Sequence, residues 1–125
     1  IAVATLIFGG VLHRHPNIDI CLSHAGGTMT SLIGRFNRAC TKRPWVPEHL
    51  QYEGAFEESL QKLWFDTHVH DPRVLNWVID IMGTDKLLLG TNFAGWDQHA
   101  MTQDVPAELA LTMADNAKRL LRVST

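Results

Sequence analysis

Three short apolar runs alternate with helical patterns along the chain, and this alternation constrains the fold more than any other feature. Each run is too short for a typical helix and ends in polar side chains. Strands that alternate with covering helices form a parallel sheet with right-handed crossovers, so the predicted class is α/β. The predicted strands are residues 18–24, 63–70 and 86–91, and the main predicted helices are 1–14, 28–40, 71–83 and 106–122.

The first run ends in a histidine that two glycines follow almost at once. Pro16 precedes the run and Gly26-Gly27 ends it, and both residue types interrupt regular structure. The pattern predicts a buried strand that carries His24 to its carboxyl end, where parallel sheets place their reactive groups. The alternative is a structural histidine that caps the strand.

Helix boundary signals differ in strength along the chain. Asp71-Pro72 predicts a helix start and Gly83 its end, with an inward face formed by Val74, Leu75, Val78, Ile79 and Met82. Gly9-Gly10 weakens the predicted helix 1–14. Residues 106–122 are predicted as one helix, or as two that break near Asp115.

Composition predicts one soluble globular domain over residues 1–125. The chain has 125 residues, 46% hydrophobic residues and a formal charge of -2, which gives no indication of a nucleic acid or membrane partner. Cys21 and Cys40 are predicted to be buried thiols in a reducing compartment, so the expected location is the cytoplasm. Because the chain starts with Ile1 inside an apolar segment, we expect it to continue a longer protein.

Polar side chains follow all three predicted strands, and parallel strands bring their carboxyl ends to one edge of the sheet. This edge is predicted to hold a metal or proton-transfer site. The residues are His24 after the first strand, Asp66, His68 and His70 on the second, and Asn92 with Asp97 and His99 after the third.

The spacing Asp66-x-His68-x-His70 allows a more specific hypothesis. Residues two apart on a strand point to one face, so both imidazoles could bind one metal ion while Asp66 orients a ring. Alternatively, the two histidines lie at the solvated end of the strand and Asp66 pairs with an arginine.

Several of these segments, taken in order, resemble the C-terminal part of the amidohydrolase-2 family. That family contains aminocarboxymuconate-semialdehyde decarboxylase and related metal-dependent decarboxylases and hydrolases. The matching segments are His15-Pro-Asn-Ile, Ser23-His-Ala-Gly-Gly27, Gly34-Arg35, Phe65-Asp66, Val69-His-Asp-Pro72, Gly83 to Thr91 and Asn116 to Leu121.

The resemblance implies that the fold is part of a TIM-type (β/α)8 barrel, with the three strands as its sixth, seventh and eighth. It implies that His24 is the acid or base beside a divalent metal, zinc or manganese. It also places Asn92 where the family has a metal-binding aspartate. The family's first-strand His-x-His pair and fifth-strand histidine have no counterpart in matching context here.

Asn92 is a chemical departure from the family pattern. A neutral amide binds a hard or borderline cation weakly and cannot act as a general base. Asp97 could replace the missing carboxylate, although it lies five residues farther along the loop. His68 and His70 are a further, weaker candidate pair of ligands, because their helix-start context matches the seventh strand better than the family's ligand strand.

The resulting hypothesis is a metal-dependent decarboxylase or hydrolase of small aromatic or muconate-type carboxylic acids. A metal-bound water would work with His24, and the chain as given would be a C-terminal fragment that is not competent alone. One alternative is a non-catalytic α/β remnant stabilised as a homo-oligomer, since an open barrel fragment exposes sheet edges. Another is a site that two copies assemble, in which His24, His68 and His70 bind the metal.

Overall fold

The computed structural model describes residues 1–98 and 105–123 and shows helices together with one small parallel sheet. No helix within these residues is long and apolar enough to cross a lipid bilayer. Two 3₁₀ turns, His24–Gly26 and Glu48–Leu50, accompany the main elements. The helices are α1 (Ala2–Phe8), α2 (Val11–Arg14), α3 (Met29–Lys42), α4 (Ala55–Leu60), α5 (Pro72–Met82) and α6 (Ala107–Leu121), and the strands are β1 (Cys21–Leu22), β2 (Trp64–Asp66) and β3 (Leu87–Leu88).

The chain divides into two compact units. The first comprises Ile1–Ile20 and Thr28–Leu63 and is helical. The second comprises the described residues of Cys21–Gly27 and Trp64–Thr125 and contains the whole sheet. The described residues that are predicted to carry chemistry, His24, Asp66, His68, His70, Asn92 and Asp97, all belong to this second unit.

The three strands form a parallel sheet with β2 at its centre. Leu22 is paired with Phe65 and Phe65 with Leu87, so the carboxyl ends of the strands lie along one edge. The predicted α/β class and parallel arrangement are confirmed. The strands are shorter than predicted: Asp66 lies in the ladder as the last residue of β2, but His24, His68, His70 and Asn92 all lie at least two residues beyond the ends of their strands.

The prediction of a buried first strand over residues 18–24 is wrong. Only Cys21–Leu22 pair as β1, and Ile18 is 46% exposed. Neither residue of β1 is buried, whereas Trp64 and Phe65 of β2 and Leu87 of β3 are. Cys21 is exposed rather than buried, and Cys40 is buried as predicted.

Helix α5 begins and ends where the sequence predicts. The Asp71 carboxylate accepts the backbone N–H of Arg73 at 2.9 Å, Pro72 occupies the first helical position, and Gly83 ends the helix with a φ of 73°. Val78 is buried on the inward face, but Val74, in the first turn, is 41% exposed. The expectation that Val74 faces inward is therefore wrong.

Helix α6 is one continuous helix, which excludes a break near Asp115. Its buried Asn116 side chain donates to the backbone carbonyls of Thr84 at 2.7 Å and Leu87 at 2.8 Å. These two bonds attach the helix to the start of β3 and to the turn before it. The amide thus positions the strand that leads to the candidate site.

The helical unit is centred on three phenylalanines. The Phe36 and Phe56 rings stack at 4.6 Å, and Phe8 lies 5.7 Å from Phe36 and 5.4 Å from Phe56. The predicted helix 1–14 is two helices, because Gly10 adopts a φ of 71° between α1 and α2. Helix α3 follows the prediction, with Ile33 and Cys40 buried and its arginines, Arg35 and Arg38, exposed.

Two valines of α5 offer a matched test of this packing. Replacing Val78, which is 1% exposed, with alanine removes buried methyl groups and leaves a small cavity, so we expect the free energy of unfolding to fall by about 2 kcal/mol. Val74→Ala should change it by less than about 0.5 kcal/mol. Urea denaturation followed by circular dichroism measures both, and equal effects of the two substitutions would contradict the packing described for α5.

Candidate functional site

His24 lies in a tight turn immediately after β1. His24 and Ala25 have φ values of 52° and 51°, and Gly26 and Gly27 continue this left-handed conformation at 76° and 63°. A non-glycine residue in this region costs about 1 kcal/mol, so surrounding contacts must hold the turn. A Cβ at Gly26 would lie 2.8 Å from the Phe65 ring, so glycine is required for the turn to pack against β2.

Asp66, at the end of β2, is the contact that holds this turn. One of its carboxylate oxygens accepts the backbone N–H of Ala25 at 3.1 Å and the backbone N–H of His68 at 3.1 Å. This arrangement differs from both hypotheses for Asp66, which were the orientation of an imidazole ring and pairing with an arginine. Its described partners are two backbone amides, one beside each candidate histidine.

Three imidazole rings lie next to one another at the carboxyl edge of the sheet. The His68 ring is centred 4.9 Å from that of His24 and 5.0 Å from that of His70. The His68 side chain is 3% exposed and the His70 side chain 54% exposed. The alternation of side chains along a strand does not explain this arrangement, because β2 ends at Asp66 and both His68 and His70 lie beyond it.

Asp97 faces two of these rings. Its Oδ2 atom lies 3.2 Å from Nε2 of His68 and 3.3 Å from Nε2 of His70, while Nδ2 of Asn92 donates to its other oxygen. Partial burial by itself would raise the pKa of Asp97, but the hydrogen bonds from His70, Asn92 and His68 outweigh it and lower the pKa to about 2. Asp97 is therefore an anion at neutral pH.

The loop after β3 folds back on itself and brings Asp97 to the sheet edge. Asn92 and Ala94 have φ values of 48° and 62°, and Gly95 N–H donates to the Asn92 carbonyl at 2.7 Å. A Cβ at Gly95 would overlap the Asn92 side-chain amide, so glycine here allows that amide to lie against the turn. The loop continues to His99, which lies outside the described residues.

His68, His70 and Asp97 are the one group of potential metal ligands found within the described residues. One ligand atom from each lies within 4.8 Å of the others. The structure thus brings together the second-strand histidines and the loop carboxylate, while the amide of Asn92 contacts the carboxylate rather than an imidazole.

Two supporting residues have no signal in the sequence. The buried Thr67 accepts the backbone N–H of Gly90 at 3.1 Å through its hydroxyl, and Gly90 packs directly on Asp66. A glycine after an apolar run indicates only a loop, so its packing role becomes visible only in the structure.

Comparison with known proteins gives consistent matches. A family model described as amidohydrolase matches residues 1–123. The chain is 34% identical over 93 residues to 2-amino-3-carboxymuconate-6-semialdehyde decarboxylase of Dictyostelium discoideum, covering 74% of this chain and 26% of that protein. It is 28% identical over 120 residues to 6-methylsalicylic acid decarboxylase of Penicillium expansum, covering 94% and 36% respectively.

A solved structure shares the fold. The crystal structure of 5-carboxyvanillate decarboxylase from Sphingomonas paucimobilis superposes with a TM-score of 0.76 at 19% identity, covering 98% of this chain and 39% of that one. At this identity the likeness concerns the fold alone. The chain therefore spans between 26% and 39% of the length of these three proteins.

Two glycine-to-alanine substitutions test the packing behind the site. A Cβ at Gly90 would lie 2.8 Å from both Cβ and Cγ of Asp66, so Gly90→Ala should displace Asp66 and destabilise the fold by about 1–3 kcal/mol. The same substitution at Gly34, an exposed position within α3 with no atom close to an added Cβ, should stabilise by about 0.5–1 kcal/mol. Urea denaturation gives the two signs, and NMR should show amide shifts at Ala25 and His68 only in Gly90→Ala.

The ionisation of Asp97 offers a second test. Because its pKa is lowered to about 2, the folded state gains stability from the ionised form above about pH 4, and this gain is lost as the pH falls towards 2. His70→Ala removes the hydrogen bond that lowers this pKa most, so the carboxyl titration should move upward. Carbon-13 NMR of the carboxyl group follows both proteins, and an unchanged midpoint in His70→Ala would contradict the contact.

Proposed function

The chain belongs to the amidohydrolase family, and on that premise we propose that it is part of a metal-dependent enzyme that decarboxylates or hydrolyses small aromatic or muconate-type carboxylic acids. The observation that carries the proposal is the convergence of His24, His68, His70 and Asp97 at the carboxyl edge of a parallel sheet. This is the edge at which α/β enzymes bind ligands.

The fold assignment in this proposal is the C-terminal part of a TIM-type (β/α)8 barrel, one partial domain over residues 1–125. The three parallel strands would be the sixth, seventh and eighth of eight. The coverage of 39% of 5-carboxyvanillate decarboxylase at a TM-score of 0.76 supports a fragment of a larger fold. As a fragment, the chain would not turn over substrate alone.

Two relatives indicate the substrate class. The proteins that align with the chain are decarboxylases of 2-amino-3-carboxymuconate-6-semialdehyde and of 6-methylsalicylic acid. Both names describe small unsaturated carboxylic acids. For the enzyme that would contain this chain, we propose only this substrate class and neither of the two compounds.

His24 is the proposed proton donor or acceptor. When a carboxylate leaves as CO₂, the carbon that held it must gain a proton, and an imidazole is suited to deliver one near neutral pH. His24 is exposed in its turn, so a substrate could reach its ring. The Asp66 contact to the neighbouring Ala25 N–H holds the turn in place.

The metal position is the second part of the proposal. A bound divalent cation, zinc or manganese, would supply Lewis-acid polarisation of substrate oxygens. At the family's aspartate position the chain has Asn92, whose amide hydrogen-bonds to Asp97.

The proposal also covers partners and location. We expect a homo-oligomer in the cytoplasm that recognises a small carboxylic acid. Large exposed apolar side chains beside the site, Phe93 at 84% and Trp96 at 97% exposure, favour coverage by another part of a larger assembly. The same exposure favours the second candidate, a non-catalytic remnant that persists by oligomerising.

Activity assays test His24. In a polypeptide that joins this chain to the remaining barrel strands, His24→Gln should lower the turnover number of CO₂ release about 10²–10⁴-fold, because the proton transfer step loses its donor. The matched control is His15→Gln, an exposed histidine at the end of α2, which should leave turnover unchanged.

Two results would count against the proposal. Full activity in His24→Gln would remove His24 from the mechanism. Turnover by the isolated 125-residue chain with zinc or manganese would show that the chain is competent alone.

A further inference from the structure

We propose that His68, His70 and Asp97 bind one divalent cation of the zinc type, using residues of this chain alone. The site differs from the one that the family resemblance implies, which uses strands absent here and an aspartate at position 92. Its role in turnover rests on the proposed function, but binding itself does not.

The spacing of the ligand atoms is the first argument. Zinc binds imidazole nitrogen and carboxylate oxygen at about 2.0–2.2 Å, so the edge of a tetrahedral site is about 3.3–3.6 Å long. The two Nε2–Oδ2 distances are 3.2 Å and 3.3 Å. Charge-assisted N–H···O⁻ hydrogen bonds are usually shorter, about 2.7–2.9 Å. These two distances are therefore closer to the spacing of neighbouring ligands than to that of optimised hydrogen bonds, and the ligand nitrogens of the two histidines lie within 4.8 Å of each other.

The buried state of His68 is the second argument. Its ring is almost completely buried, and its Nδ1 atom has no hydrogen-bond partner among the described residues. If Asp97 held the ring in the Nε2–H tautomer, Nδ1 would be a bare, buried lone pair, and an unsatisfied buried acceptor costs about 1–3 kcal/mol. With a cation on Nε2, Nδ1 would carry the proton and lack an acceptor instead, so the unpartnered atom does not distinguish the two states. Burial does fix the ring with its Nε2 atom towards Asp97, where a cation would bind.

The position of the carboxylate is the third argument. Asn92 donates to one oxygen of Asp97, which leaves the other oxygen facing both imidazoles. A turn at Ala94 and Gly95 folds back the four residues that lie between Asn92 and Asp97. Asp97 thus supplies the negative charge that Asn92 lacks, and Asn92 becomes a residue that positions the ligand.

The ligand set predicts which cation binds. Two imidazoles and one carboxylate favour zinc, cobalt or nickel over magnesium and calcium, which prefer oxygen ligands. Three protein ligands leave a fourth position open, as in catalytic zinc sites. The His24 ring lies 4.9 Å from the His68 ring, so it is a neighbour of one proposed ligand.

Calorimetric titration of the metal-free 125-residue chain with Zn²⁺ tests the site. We expect one ion per chain, and cobalt should give the absorption bands of a tetrahedral Co²⁺ complex. His70→Ala and Asp97→Asn should each lower affinity at least about 100-fold, because each removes a direct ligand. Asn92→Ala should lower it about 10–100-fold through the loss of positioning.

The control is His15→Ala, which removes an exposed imidazole outside the group and should leave affinity unchanged. The His70 side chain is 54% exposed, so its removal should leave the fold intact, and circular dichroism verifies this. Absence of stoichiometric zinc binding by the folded wild-type chain would overturn the inference. Equal affinity in wild type, His70→Ala and Asp97→Asn would overturn it too. The three residues would then form only a hydrogen-bonded cluster, and the metal would bind elsewhere.

A failure of metal binding can be distinguished from a failure of turnover, because the titration contains no substrate. If His70→Ala removes zinc binding and the longer polypeptide is inactive, the results support this site and contradict the proposed function. An active longer polypeptide whose chain shows no such binding supports the function and contradicts this site.

Discussion

The arrangement at the sheet edge depends on one carboxylate, that of Asp66. A single oxygen accepts the backbone N–H of Ala25, in the turn after β1, and that of His68, just beyond β2. Neither amide lies within the ladder, and a buried N–H without an acceptor costs about 1–3 kcal/mol. By satisfying both, Asp66 fixes the two peptide segments that carry His24 and His68, and the 4.9 Å ring separation follows.

A second carboxylate determines the electrostatics of the site. Asp97 faces two imidazoles and one amide donor, and these hydrogen bonds keep its pKa at about 2 despite partial burial. Asp66 accepts two backbone amides through one oxygen, so its described hydrogen bonds go to the main chain, whereas those of Asp97 come from side chains, two of which can also bind a cation. Asp66 thus holds the turn that carries His24, and Asp97 faces the imidazoles of the candidate metal site.

Local chemistry explains what the sequence predicts well. Helix α5 begins at Asp71-Pro72 and ends at Gly83 because capping and backbone freedom act within a few residues. The approach of Asp97 to His68 is different, since it requires Ala94 in a left-handed conformation that no residue type in the loop indicates. The exposure of Cys21 and Val74 likewise depends on what covers β1 and the first turn of α5. Tertiary contacts decide the position of Asp97 and the exposure of these two side chains, and the pattern of apolar residues in the sequence does not reveal those contacts.

Coordination depends on where donor atoms lie and not on their positions in the chain. The amide at position 92 removes a ligand from the place implied by the family resemblance, but it also donates to the carboxylate that arrives from position 97. The Asp97 carboxylate lies beyond the end of β2, beside two histidines. A cation held there needs only residues of the sheet-containing unit, whereas the complete chemistry of the family would need strands outside this chain. The proposed metal site and the proposed catalysis can therefore be tested separately, because the first involves only residues of this chain.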